Sequence, residues 1–218
     1  SHRLAPASHQ PGLTQYITCS STFSANLAGN RLECHGTPWL QQDRIVSACA
    51  SAAMWVCTWH LGHFLGRGHR LFTTPEITDL STEFNLSTGR AMPSGGLNVD
   101  QMSHGFRAMS YEPILVGEFS RPTPAVAAAN VYAYIESGVP VLLSLQYPGD
   151  DGHAIAVVGH QLHYDEPYSP IPASESYGDL SQAKLYFRDA STFVPRFVIQ
   201  DDAGGPFRYL QFLDPRGY

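Results

Sequence analysis

Apolar and polar positions divide this chain into a helical middle and a strand-rich end. Ser47 to Cys57 reads Ser-Ala-Cys-Ala-Ser-Ala-Ala-Met-Trp-Val-Cys, small and apolar, with no Gly or Pro until Gly62. Such a run predicts a helix of about 12 residues with Cys49 in its first turn. Thr74-Pro-Glu-Ile-Thr-Asp-Leu offers Thr74 as N-cap, an early Pro and early acids, and predicts a second helix start. Residues 98–109 read as a third helix. The Ala-rich stretch 124–137, capped by Thr123 and closed by Gly138, reads as a fourth.

Strand patterns gather elsewhere. Residues 15–19 and 30–34 read as short strands around a polar turn at 26–30 that contains Gly29, and 114–116 begins another. Segments 139–145, 153–159, 184–188, 197–200 and 207–213 follow as strands. Residues 1–13 read as a loose arm. The Gly- and His-rich stretch 62–69, the stretch 89–96, the turn 147–152 and the long Pro-, Tyr- and Ser-rich stretch 163–182 read as loops. Helices followed by strands argue an α+β fold rather than an alternating α/β one. An arm and short hairpin over 1–37 would precede one domain over 38–218, its two lobes about 38–112 and 113–218. No internal repeat is visible.

Composition narrows the class. The chain has 218 residues, 43% hydrophobic and 15% charged, enough for one domain with a sizeable core. Its net charge is −6 and no block of Lys or Arg occurs, which argues against nucleic acid and anionic membrane as partners. No apolar run reaches transmembrane length and no signal peptide is visible. The start Ser1-His2, without Met, reads as a domain excised from a longer protein. Four cysteines, at 19, 34, 49 and 57, are too few for a disulfide scaffold and read most simply as reduced thiols in a cytoplasmic protein. A Cys19–Cys34 bridge stays open if the two short strands around Gly29 form a hairpin.

Candidate chemistry centres on Cys49. At a helix start, orphan backbone N–H groups and the positive end of the dipole favour an anion, here a thiolate. Thiol catalysis also needs a base and a group to orient it. His153 follows Asp150-Asp-Gly152 and opens an apolar strand; Asp201 and Asp202 close Phe197-Val-Ile-Gln200, just before Ala203-Gly-Gly-Pro206. Taken singly, each has a plainer reading: a core thiol, a strand-end histidine, a turn former. The ordered set shifts the weight toward catalysis. Cys57, two turns on, reads as core.

Cys57, His60, His63 and His69 offer zinc-ligand side chains within a short span, but their spacing matches no familiar finger, and solvated loop histidines fit better. Tyr164, Tyr168 and Tyr177 could line a substrate cleft or simply pack a surface loop. The glycines at 66–68 and 95–96 lack the context of a phosphate loop.

Gln ahead of a Cys that heads a small-residue helix with Trp behind it, then Gly152-His-Ala-Ile-Ala-Val-Val-Gly159, then Ile199-Gln-Asp-Asp-Ala-Gly204, resembles the papain-like cysteine peptidases. With Asp as third member, the pattern is similar to the bacterial branch, which includes the peptidase domains of bacteriocin-processing (double-glycine) transporters. The resemblance spans roughly residues 38–213. It implies a helical lobe carrying the nucleophile helix, an antiparallel β lobe, and an active site in the cleft between. It makes Cys49 the nucleophile, His153 the general base and Asp201 the orienter, with Asp202 as runner-up. It gives Gln42 the oxyanion role beside the Cys49 N–H, with Gln41 as alternative, because Gln42 stands seven residues ahead of Cys49 and the plant enzymes have one residue fewer. Ala48-Cys-Ala-Ser departs from the Cys-Gly-Ser-Cys-Trp form of the plant and lysosomal enzymes. The implied activity is hydrolysis of peptide bonds in a peptide or protein substrate through a thioester acyl-enzyme, with no cofactor and no metal. Deamidase, isopeptidase or transglutaminase-like transfer on the same triad, and a non-catalytic module binding peptides or partners, stay open beside it.

Overall fold

A computed structural model describes residues 2–3, 13–41, 48–66, 70–83, 96–117, 122–146, 152–163, 171–172, 186–187 and 190–212. The small apolar run after Ala48 forms α1 (Cys49–Phe64), and ten of its sixteen residues are buried. Its side chains are apolar nearly all round, the mark of a helix enclosed by other elements rather than one lying on a surface. It runs past Gly62, contrary to the loop expected there. The bare Cα of Gly62 leaves room for Leu71: a Cβ would stand 3.0 Å from Leu71 Cδ2. The Leu65 N–H still closes on the Leu61 carbonyl.

Three further helices follow among the described residues. For α2 (Thr74–Thr82), the cap is Thr73, one residue before the expected Thr74, and both its N–H and its hydroxyl donate to Glu76 Oε2 at 2.8 Å. In α3 (Val99–Ala108), Asn98 and Gln101 cap each other. Thr123 accepts from the Val126 N–H to start α4 (Pro124–Glu136). Each arrangement satisfies backbone N–H groups that have no partner inside the helix.

All strand pairing among the described residues is antiparallel. The main sheet runs β1 (His2–Arg3), β2 (Leu13–Ile17), β6 (Gly152–His163), β9 (Arg196–Asp201), β10 (Gly205–Leu210), and β5 (Val141–Gln146) pairs the first half of β6. The architecture is therefore α+β, as the segregated pattern predicts. Ala154 to Gln161 are buried without interruption, so β6 is covered on both faces. Gly159 is required where β2 crosses it, since a Cβ there would stand 2.1 Å from the Tyr16 carbonyl oxygen. Helix α1 packs on β6 with contacts to β5 and β9. Met54, Ile77, Ile135, Val157 and Val198, from five different elements, meet in one core.

Several local expectations are corrected. The hairpin at Gly29 joins β3 (Ser21–Leu27) to β4 (Asn30–Gly36), while 13–17 pairs with β6 instead. Its turn is two residues, Ala28 and Gly29, both at positive φ, the conformation that matches strand twist. Phe23 stacks on Trp59, which leans the hairpin on α1. All four cysteines are free: Cys19 is buried and Cys34 is exposed on β4, opposite Phe23. Residues 114–116 form no strand and lie exposed. His2 and Arg3 of the arm pair with Ile17 and Tyr16. A two-residue pairing, β7 (Ile171–Pro172) with β8 (Tyr186–Phe187), falls in the expected long loop and its neighbour. Gln42, His69, Tyr164, Tyr168 and Tyr177 lie outside the described residues. Among the described residues no helix is long and apolar enough to cross a membrane.

Candidate active site

Cys49 is the first residue of α1 and half-buried. Ala48 offers no side-chain cap and the first turn holds no acidic residue, so nothing on the helix itself competes with the sulfur for the orphan N–H groups. The other thiols stand apart. Burial pushes Cys19 up to about 12 and drives Cys57 well above the ordinary thiol range. Cys57 is core, as expected.

His153 sits near the start of β6, opposite Leu145 of β5. Its Nε2 lies 3.0 Å from Asp201 Oδ1, which leaves Nδ1 for the thiol. The hydrogen bond with Cys49 is the main cause raising the imidazole pKa to about 9, against the opposing effect of burial and with help from Asp201. Residues 49, 153 and 201, distant in sequence, are thus brought together.

Asp201 ends β9, and its carboxylate is shaped by the turn that follows. Oδ1 accepts from the Ala203 and Gly204 N–H groups at 2.9 Å each, besides His153. Burial acts to raise its pKa, but the Gly204 N–H, His153 and the Ala203 N–H outweigh it and hold the carboxyl below its ordinary value. Gly204 cannot carry a side chain here: a Cβ would stand 2.4 Å from Asp201 Oδ2.

Asp202, the runner-up, is also close. Its Oδ1 is 3.8 Å from His153 Nε2, and it is only 6% exposed. Burial raises its pKa, with His153 opposing and Asp201 adding to the rise. One ligand atom each from His153, Asp201 and Asp202 lie within 4.8 Å of one another, near enough to converge on a cation. Yet Asp201 Oδ1 is already filled by three donors.

The sequence did not single out the residues that hold the site from behind. Trp39 donates its indole N–H to the Asp201 carbonyl at 2.9 Å across 162 positions. Gln200 accepts from the Phe207 N–H at 3.2 Å and donates to Thr37. Trp39, Leu40, Gln200, Asp202 and Cys49 line one small cavity. Leu40 also borders an apolar pocket of about 320 Å³ formed with Trp55, Trp59, Leu71 and Phe72. No local pattern marks Trp39 or Gln200; only the tertiary fold gives them work.

Gln41 is exposed. His60 and His63 are helical rather than loop histidines: His60 is buried against the Gly138 carbonyl at 2.9 Å, and His63 bonds the Trp59 carbonyl. They form no zinc set with Cys57 among the described residues. A second His–carboxylate pair, His160 Nε2 to Glu136 Oε1 at 2.6 Å, is enclosed between Tyr16 and Tyr132. Burial lowers the His160 pKa against the pull of Glu136.

Compared with known proteins, the chain matches no family model, no curated protein and no solved structure. Any functional reading therefore rests on its own residues.

Proposed function

We propose that this chain is a cysteine peptidase of papain-like type. The observation that carries this reading is one imidazole, His153, bonded on Nε2 by Asp201 and on its other side by the thiol that heads α1. An imidazole held near pH 9 stays protonated at neutral pH, and its partner sulfur is then the nucleophile.

In the reaction that follows from this pair, the Cys49 sulfur attacks the carbonyl carbon of a peptide bond. The new oxyanion accepts from the Cys49 N–H and from Gln42, or Gln41 in its place. His153 gives its proton to the departing nitrogen, the C–N bond breaks, and a thioester remains. A water then attacks the thioester, its proton going to His153; the acid leaves and the sulfur is restored. Asp201 keeps the imidazole in one tautomer and orientation and supports its charge throughout. The apolar pocket beside Leu40 suits an apolar substrate side chain. The substrate is a peptide or protein, and four unpaired thiols suit a reducing compartment such as the cytoplasm.

A thiol-directed electrophile with a peptide recognition element tests the proposal. It should label Cys49 in the wild type and fail in His153→Ala. A peptide-library digest then separates bond cleavage from ammonia release or amine incorporation. No labelling at Cys49 above the rate of a free thiol would overturn the enzyme reading and leave a binding module.

A further inference from the structure

We propose that Asp202 is a second positioning carboxylate for His153, sharing the Nε2 proton with Asp201. Three observations lead there. First, Asp202 Oδ1 and Asp201 Oδ1 stand on the same ring nitrogen, at 3.8 Å and 3.0 Å. The difference is less than 1 Å, so a small rotation of the ring passes the N–H from one to the other. Second, Asp202 is nine-tenths buried, and among the described residues its oxygens have no side-chain hydrogen-bond donor, only weak contact with the Asp202 and Ala203 N–H groups. A buried carboxylate left in that state is costly unless a cation faces it. Third, the polar groups that share its cavity are spent elsewhere. The Trp39 indole goes to the Asp201 carbonyl, and the Gln200 amide to Thr37 and Phe207. Among the described residues His153 is the ionisable base that faces its charge.

The charges of Asp202 and His153 are therefore coupled. The titratable groups facing His153 are Cys49 from α1, Asp201 at the end of β9 and Asp202 in the turn after it; β5 presents the apolar Leu145. When the imidazole takes a proton, two carboxylates hold it; when it gives the proton up, Asp202 is the group left unbalanced. This rests on the peptidase reading for its purpose. In acyl transfer the ring must serve first the sulfur and then the leaving nitrogen, and a second acceptor keeps its N–H bonded as it turns. The positioning itself needs no turnover.

Titration of His153 by ¹⁵N-histidine NMR in wild type, Asp201→Asn, Asp202→Asn and the double variant tests it, with iodoacetamide alkylation of Cys49 at pH 6 as a second readout. Asp202→Asn should lower the His153 pKa by about one unit, a tenfold loss of proton affinity. Asp201→Asn should leave a residual elevation that the double variant removes. Alkylation should slow in each single variant and slow further in the double. An Asp202→Asn protein that titrates as wild type, or a double variant identical to Asp201→Asn, would overturn the proposal and leave Asp202 a turn residue. Asp202→Ser, smaller and uncharged, gives the same comparison if the buried amide blocks folding. If Cys49 is inert in every variant while His153 responds to both carboxylates, the peptidase reading falls and the shared positioning stands.

Discussion

Gly204→Ala should disable the site through one methyl group placed beside Asp201. The added Cβ would stand 2.4 Å from Asp201 Oδ2 and 3.0 Å from its Cγ, where ordinary contact begins at 3.4 Å. The carboxylate must withdraw by about 1 Å. It has little freedom to do so and keep its bonds, because Oδ1 holds Ala203, Gly204 and His153 within 2.9–3.0 Å. Backbone strain does not enter, since Gly204 lies outside the positive-φ set. The loss of a hydrogen bond to a charged group costs about 1.5–3 kcal/mol. Against this, Gly→Ala recovers about 0.4–1 kcal/mol from the unfolded chain. Urea unfolding should show a net loss of about 1–2 kcal/mol. Misplacement by 1 Å should reduce turnover on any cleaved peptide about 10²-fold, and Cys49 alkylation at pH 6 should slow as the imidazole loses its orienting carboxylate. Adding Gly204→Ala to Asp201→Ala should cost nothing further in alkylation. A Gly204→Ala protein as stable as wild type and alkylated at the wild-type rate would refute the role given to this turn.

His153, raised from 6.5 to about 9, should contribute to stability in full below pH 6.5 and lose that contribution as pH rises through 9. Asp201, held low, contributes above its ordinary 3.8 and loses its share as pH falls below that. Urea midpoints from pH 3 to 10 should show both limbs; an unchanged alkaline slope in His153→Gln would count against the first. Iodoacetamide at pH 6 followed by peptide mapping should modify Cys49 before exposed Cys34 and well before buried Cys19 and Cys57; equal rates at Cys34 and Cys49 would deny Cys49 any activation. Gln42→Ala should lower kcat about 10²–10³-fold with KM little changed, yet leave substrate-free alkylation intact, whereas Asp201→Ala should slow alkylation; full turnover in Gln42→Ala would shift the oxyanion role to Gln41 or the backbone.

The sequence made α1, α4 and the β6–β9 pair legible because each carries its own punctuation. Thr123 and Gly138 bracket α4, and the apolar run after Gly152 has no break. The strand β3 carries a weak alternation, Phe23, Ala25, Leu27 against Thr22, Ser24, Asn26, but its apolar residues are few, and the turn at Gly29 points instead to the earlier segment 15–19 as partner. That segment pairs with β6, a choice made by tertiary packing and not by any local signal. At 114–116 apolar content suggests a strand, but the segment lies exposed and pairs with no described strand. Cys49, His153 and Asp201 could be picked out by type and order. Trp39, Gln200 and the requirement for Gly204 could not, since each acts through a neighbour supplied by folding.

The order of strands in the sheet also sets when the candidate site can exist during synthesis. Cys49 and its helix emerge early, and His153 emerges with β6, but β9 pairs β6 directly and delivers Asp201. Until residues 196–204 leave the ribosome, a nascent chain holds a thiol and an imidazole with no carboxylate to orient them. Long-range antiparallel pairing is slow relative to local helix formation, so even the released chain passes through a stage with its helices made and its thiol unassisted. On the proposed reading, the thiol gains its oriented base only once the sheet closes.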